Sequence, residues 1–264
     1  MIETLNHLQP ILIIVSLTFF FSLESFIPDV TEFRNRKKHT LRNLVLSLLC
    51  FIANGIGATW LTYWMLFIQQ HELGLLNALH INAVTAAVAG VLLVDLDSYI
   101  LHRLAHRIPV MWRLHRVHHS DNQLDSTSSL RVHPLEVMLQ ITWRSITYAL
   151  LGIPVPSFII FSTLMLPLLF IQHANIRFPK KAESILSFVF VTSSWHRVHH
   201  SDEQPYTDSH YGNLFTFWDR IFKTYNSKVP ASRLKFGLKG LKEDTAQTIK
   251  SQLLLPFRKV KREV

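Results

Sequence analysis

Four stretches of this chain contain no Asp, Glu, Lys or Arg: Thr4 to Leu23, Asn43 to His71, Leu73 to Val94 and Ser145 to Ile176. A helix needs about 20 consecutive, mostly apolar residues to cross the hydrocarbon core of a bilayer, and each stretch is that long. Composition agrees: 48% of the residues are apolar and 17% charged, against about 25% charged in an average soluble domain. That balance excludes an ordinary soluble domain. It also excludes disorder, which needs low hydrophobicity and high charge. The expected fold class is all-α, an integral membrane helical bundle.

The flanking charges predict a topology. The first stretch is read as a retained anchor, because no basic n-region precedes it and no small-residue cleavage site follows. Arg34, Arg36, Lys37, Lys38 and Arg42 lie between the first two stretches, and the positive-inside rule places that loop in the cytoplasm. The N-terminus is then outside, the second helix runs outward, and the third returns to the cytoplasm near Leu101. The link from His71 to Asn77 has no Lys or Arg and suits an external turn. The fourth stretch would be about 48 Å long as one helix, more than the ~30 Å core. Gly152, Pro154 and Pro156 interrupt it, so it is expected to bend into two arms, 137–151 and 157–173. The expected organisation is residues 1–94 as N-terminal transmembrane helices, 95–225 as a catalytic domain with a membrane hairpin at about 137–173, and 226–264 as a basic tail. The net charge of +9, including Arg258, Lys259, Lys261 and Arg262, suits anionic lipid headgroups. No nucleic-acid motif accompanies it, and no nucleic-acid partner is expected. Cys50 is the single cysteine, so neither an internal disulfide nor a cysteine zinc cluster can form.

Fifteen histidines are an unusual load for so apolar a chain. His102 and His106 stand four apart. His115, His118 and His119 sit in HRVHHSD at 115–121, and the same seven residues recur at 196–202 with His196, His199 and His200. Residues i, i+3 and i+4 share one helix face, so each HxxHH offers three imidazoles from one turn. Neutral imidazole is a ligand that suits iron, zinc and copper. His7, His39, His71 and His80 stand alone and need no special role. The clustered histidines are too many for one ion with four to six ligands, and two ions a few ångströms apart account for them. A single crossing by the fourth stretch would put the two HxxHH units in opposite compartments. Only an even number of crossings lets them share a site, which independently favours the bent hairpin and a histidine-rich helical cap on the cytosolic side.

At HRLAH, WRLHRVHHSD, RVHPLE, QHANIRFP, WHRVHHSD and HYGNLFTFWDRIF the sequence resembles the fatty acid hydroxylase and sterol desaturase superfamily, over about Asp95 to Tyr225. The resemblance implies a membrane enzyme with a cytosolic di-iron centre that uses O2 and two external electrons to hydroxylate or desaturate a lipid, of sterol or fatty-acyl type. A cytochrome b5-, ferredoxin- or reductase-type donor would supply the electrons. Carried over residue by residue, the ligands would be His102, His106, His115, His118, His119, His173, His196, His199 and His200. Zinc would be able to replace iron on purification, since it binds N-donor sites more tightly than Fe(II). The family's Asn-Tyr-Gly is here His210-Tyr211-Gly212, its Phe-Gly-Thr is Phe222-Lys223-Thr224, and Arg177 stands where some relatives carry a second histidine. His210 is either an extra ligand or a water-holding neighbour, and His133 is placed near the site.

Ligand imidazoles are usually oriented through their outer nitrogen. Asp121 and Asp202, which close the two repeats, and Asp95, seven residues before His102 on the same helix face, are the expected partners; Asp97 and Asp125 are weaker ones. Arg116 and Arg197 would meet headgroups or these acids. Met165, Phe161, Phe170 and Trp143 would line an apolar tunnel or simply pack. Two other readings are a non-catalytic membrane metal-binding protein and a zinc-dependent membrane hydrolase. Duplicated helical spacing disfavours the first, and the absence of a carboxylate between the ligands, as in HExxH, disfavours the second. Hydroxylation, desaturation and ether cleavage all remain open.

Overall fold

The computed structural model describes residues 2–31, 33–226, 234–241 and 244–259, the side chains from residue 8 onward. His7, Lys261 and Arg262 fall outside the described side chains. Among the described residues the chain is helical, with three isolated β-bridges and no strand. Helix α1 is Ile2–Phe26, α2 Arg36–Gln70, α3 Leu75–Ala78, α4 Ala83–Arg107, α5 Pro109–His119, α6 Pro134–Leu151 and α7 Val155–His173. Shorter helices follow: α8 Lys180–Val189, α9 Ser193–His199, α10 Gln204–Thr207, α11 Phe217–Ile221 and α12 Ile249–Leu254.

Four segments are long and apolar enough to cross a membrane: Leu8–Phe26, Arg36–Ala78, Ala83–Arg107 and Val155–His173. The protein is a multi-pass integral membrane protein. The outward faces carry the surface that lipid requires: Phe19, Leu48, Phe51, Ile52, Val84 and Leu150 are all exposed. Polar side chains on α2 turn back onto its own carbonyls. Asn54 Nδ2 donates to Cys50 O, Thr59 Oγ1 to Gly55 O and Thr62 Oγ1 to Ala58 O, so these three groups are not stranded in hydrocarbon. At 35 residues α2 is about 52 Å long. The excess over the bilayer carries His39 and Asn43 into the histidine region.

The third helix starts later than the uncharged stretch suggests. Residues 71–82 form a turn, because Gly74 and His80 have positive φ, and Asn82 caps α4 by accepting the Thr85 N–H at 3.0 Å. The bend in the fourth stretch is where the glycine and prolines put it. Gly152 closes α6 with φ 66°, and Pro154 precedes α7. The bend is held from outside: a Cβ on Gly74 would stand 2.3 Å from Gly152 N, so the α2–α4 link and the bend meet backbone to backbone. The two arms pack on different partners, α6 along α2 and α7 along α1 and α4. The two N-terminal helices are therefore walls of the same bundle as the histidine region. Glu24 at the end of α1 fastens them. It is 2% exposed and accepts from Ser126 N, Ser126 Oγ and Asn175 N at 2.6–3.0 Å while pairing with Arg36 at 2.6 Å.

Candidate metal centre

The histidines arrive from four helices at one end of the bundle. His102 and His106 occupy the last turns of α4, and His115, His118 and His119 lie on α5 after the Pro109 start. His173 is the last residue of α7, and His196 and His199 lie on α9, with His200 as its cap. Their ring nitrogens gather into two groups. One is His102, His106, His115, His119 and His199; the other is His118, His173, His196 and His200. Within each group the ligand-capable atoms lie within 4.8 Å of one another. The grouping crosses the repeats. The first HRVHH gives its first and fifth residues to one group and its fourth to the other, and the second HRVHH does the reverse. The duplicated motif is thus two halves of a reciprocal pair of sites.

The outer nitrogens explain why the inner ones point inward. Nδ1–H of His102 donates to Tyr211 O at 3.0 Å, of His118 to Arg131 O at 3.2 Å, of His173 to Leu169 O at 2.9 Å and of His199 to Ser209 O at 2.8 Å. A carbonyl can only accept, so these bonds fix the proton on Nδ1 and leave Nε2 with a bare lone pair. His115 Nδ1 meets Glu136 Oε1 at 2.7 Å. Nε2 of His102, His115 and His199 is buried without a hydrogen-bond partner. In the second group, the Nε2 atoms of His118 and His173 lie 3.1 Å apart, as do those of His173 and His196, and of His196 and His200. For His118 and His173 both protons are committed outward, so two lone pairs face each other with nothing between them to share. A cation removes that repulsion. Zinc–nitrogen bonds of about 2.0–2.1 Å suit nitrogens at such separations, and nine imidazoles in two buried groups fit two metal ions.

Electrostatics favours the ligand form. Burial, reinforced by the neighbouring imidazoles, holds His118, His119, His196, His199 and His200 well below the ordinary histidine range, so they are neutral at pH 7.

The expected carboxylates serve elsewhere. Asp121 accepts from His39 Nε2 at 2.9 Å to each oxygen and from Ser128 Oγ at 2.8 Å. Burial opposes its charge, but His39, Arg131 and Ser128 outweigh burial and hold its pKa well below the carboxylate range. Asp202 does not bond the outer nitrogens of its own repeat. His196 Nδ1 and His200 Nδ1 have no hydrogen-bond partner among the described residues, and His199 uses Ser209. Asp95 accepts from Leu214 N, Phe215 N and Trp218 Nε1 at 2.9–3.2 Å, fixing the loop after the Tyr211 carbonyl that orients His102. Asp97 accepts from Trp143, and Asp125 caps the turn at 126–130. Arg116 donates to the carbonyls of Leu255 and Arg258, and Arg197 pairs with Asp29 at 3.3 Å.

His133 is close by but occupied: Nδ1 accepts the Leu135 N–H as the cap of α6, and Nε2 donates to Leu253 O. His210 lies outside both groups, against Trp195 and Tyr225, with φ 57°. Asparagine or glycine adopts that left-handed backbone with less strain than histidine, and Lys223, at φ 56°, likewise sits where glycine would be unstrained. Arg177 points away, 69% exposed, beside Asp29.

Glu136 and His39 were not foreseen. Glu136 follows RVHP, two positions after a proline that opens a helix, and nothing in linear spacing links it to His115. It is the carboxylate that the residues between the ligands lack. His39 is isolated in sequence and becomes buried only when α2 packs beneath the site. Beside the histidines lies a cavity of about 370 Å³ between α2, α4, α6 and α7, lined by His102, His115, His118, His173 and His196. Phe161 and Met165 are among its lining residues. Phe170 is fully buried in helix packing, and Trp143 donates to Asp97.

The sequence profile of the fatty acid hydroxylase family matches residues 87–224, just over half of the chain. An ornithine lipid hydroxylase of Rhizobium tropici is 29% identical over 178 residues, covering 67% of this chain and 52% of that protein. Human alkylglycerol monooxygenase is 31% identical over 140 residues, 51% of this chain and 29% of the relative. Human cholesterol 25-hydroxylase is 24% identical over 144 residues, 53% and 51%. The chain thus spans about half the length of these relatives or less. No solved structure matches.

Proposed function

This chain belongs to the fatty acid hydroxylase family, and from that premise we propose that it is a membrane-bound, non-haem di-iron oxygenase that inserts oxygen into, or desaturates, a lipid. The observation that carries the reading is the pair of buried imidazole groups with inward lone pairs, opening on a cavity between membrane helices. His102, His106, His115, His119 and His199 would hold one ion, and His118, His173, His196 and His200 the other. The related hydroxylases and monooxygenases support oxidation over hydrolysis.

The bound metal pair supplies O2 activation and two-electron oxidation, chemistry that no side chain provides. The protein's own part is positional. Backbone carbonyls of Tyr211, Arg131, Leu169 and Ser209 hold the rings. Glu136 draws the Nδ1 proton of His115 and makes that ring a stronger donor. Burial keeps water from the site, and the cavity receives an alkyl portion of the lipid beside His102, His115 and His173. The basic loop Arg34 to Arg42 supports a cytoplasmic site and an external N-terminus, where a soluble or membrane-bound reductant would deliver electrons.

The test is anaerobic loading of the purified protein with iron, followed by exposure to O2, a reductant and total membrane lipid, with lipid mass spectrometry. Two irons per chain and an oxygenated or desaturated lipid are expected. Stable occupancy by zinc alone, with no O2 consumption under any electron donor, would rule the reading out.

A further inference from the structure

The cavity beside the histidines carries an acid and an arginine two turns apart on α6, with apolar side chains and Gln140 among its other lining residues. At the histidine end stands Glu136, whose Oε2 is buried and without a hydrogen-bond partner. At the other end stands Arg144, eight residues along α6, about 12 Å away by helix rise. The apolar lining includes Leu101, Ala105, Val137, Phe161 and Met165. Arg144 Nε is buried and has no hydrogen-bond partner among the described residues. Asp97 lies within its electrostatic range but is engaged by Trp143 Nε1 at 2.7 Å through Oδ1 and by the Thr147 side chain. An arginine inside an apolar helical bundle is costly, and one that faces a cavity there is by default a functional group.

We propose that Arg144 binds the anionic end of a single-chain lipid substrate, a carboxylate or a phosphate, and so selects acidic amphiphiles over neutral ones. This rests on the lipid-oxygenase reading above. At the opposite end Glu136, its Oε1 already taken by His115, offers an anion no donor, and this sets the direction of entry. A chain anchored at Arg144 presents to the histidines a carbon roughly 12 Å from its polar end, mid-chain and not beside the headgroup.

The test is binding without turnover. The metal-loaded full chain in nanodiscs of neutral lipid is titrated with 9,10-dibromostearic acid, the matching dibromo alcohol and the matching dibromoalkyl phosphate, with quenching of tryptophan fluorescence as readout. At pH 8 the acid or the phosphate should bind at least tenfold more tightly than the alcohol, and the order of the two anions identifies the source. Arg144→Gln should erase the preference with metal content unchanged, and Arg144→Lys should restore part of it. Equal affinities in the parent protein, or a preference that survives in Arg144→Gln, would overturn the proposal. The parent comparison stands even if a variant fails to insert. Because no oxidation is read, a protein that prefers the acid yet consumes no O2 would sink the oxygenase reading alone.

Discussion

At the scale of residues, the decisive fact is the direction in which each imidazole is turned. The repeats give three rings each on one helical turn, yet neighbouring rings on that turn serve different groups. His118 belongs with His173, His196 and His200, although His115 and His119 beside it join His102 and His106. This has a sharp consequence. His118→Ala should reduce bound metal from about two ions to about one by emptying the second group, and His199→Ala should empty the first. Elemental analysis checks both, and each variant should insert normally and lose activity. Loss of the first-group ion in His118→Ala, or retained activity in either variant, would contradict the assignment.

At the scale of elements, the hairpin bend and the C-terminal segment each depend on one local contact. Gly74 has φ 89° and its missing Cβ leaves room for Gly152 N at 2.3 Å. Gly74→Ala should lose about 2–4 kcal/mol, from backbone strain and overpacking together. Gly55→Ala, with nothing within 4 Å, should be neutral or slightly stabilising by helix propensity; thermal unfolding in detergent compares the two. Asp244 ties the C-terminal segment to α2 by accepting from Lys38 Nζ at 2.6 Å and Arg42 Nη1 at 2.7 Å. Those bonds, Arg42's first, hold the carboxyl well below the ordinary range. A depressed carboxylate stabilises above its unfolded pKa, about 3.9, and loses that contribution as pH falls below it. The protection of amides in residues 244–257 against hydrogen exchange, relative to their intrinsic rates, should therefore fall below about pH 4 and with added salt, because the pair is exposed. Asp244→Asn should exchange at the fast rate already at pH 7; an unchanged rate in that variant would exclude the tie.

At the scale of the molecule, the metal groups are the point where α4, α5, α7 and α9 converge, and Glu24, Arg131 and Asp121 lock the surrounding helices to them. Nine imidazoles crowded into two groups, four of them with inward lone pairs fixed by carbonyls, gain stability from a bound cation. Chelation should therefore lower the melting temperature while leaving the protein in the membrane, and re-addition of iron or zinc should restore it, since binding to the folded form alone stabilises by mass action. A melting temperature indifferent to chelator would mean that the pocket tolerates its lone pairs unaided.

Much of this was legible in the residues. The uncharged stretches, the glycine–proline break at 152–156 and the HRVHHSD repeat required membrane helices, a bend and a shared histidine site, because helix length, backbone geometry and 3.6-residue periodicity are local properties. The later start of α4 was not legible, since Leu73 to Val94 is equally apolar on both sides of the turn that Gly74 and Asn82 impose. Nor were Glu136 on His115 or His39 on Asp121, which lie 21 and 82 residues apart, or Arg144, whose cavity is built by other helices. Which nitrogen of each ring points inward depends on carbonyls supplied by distant loops, and no spacing encodes that. Local patterns along the chain were enough for the membrane bundle and its imidazole-rich site; the division of the histidines into two groups came from packing between helices, which no single helix encodes.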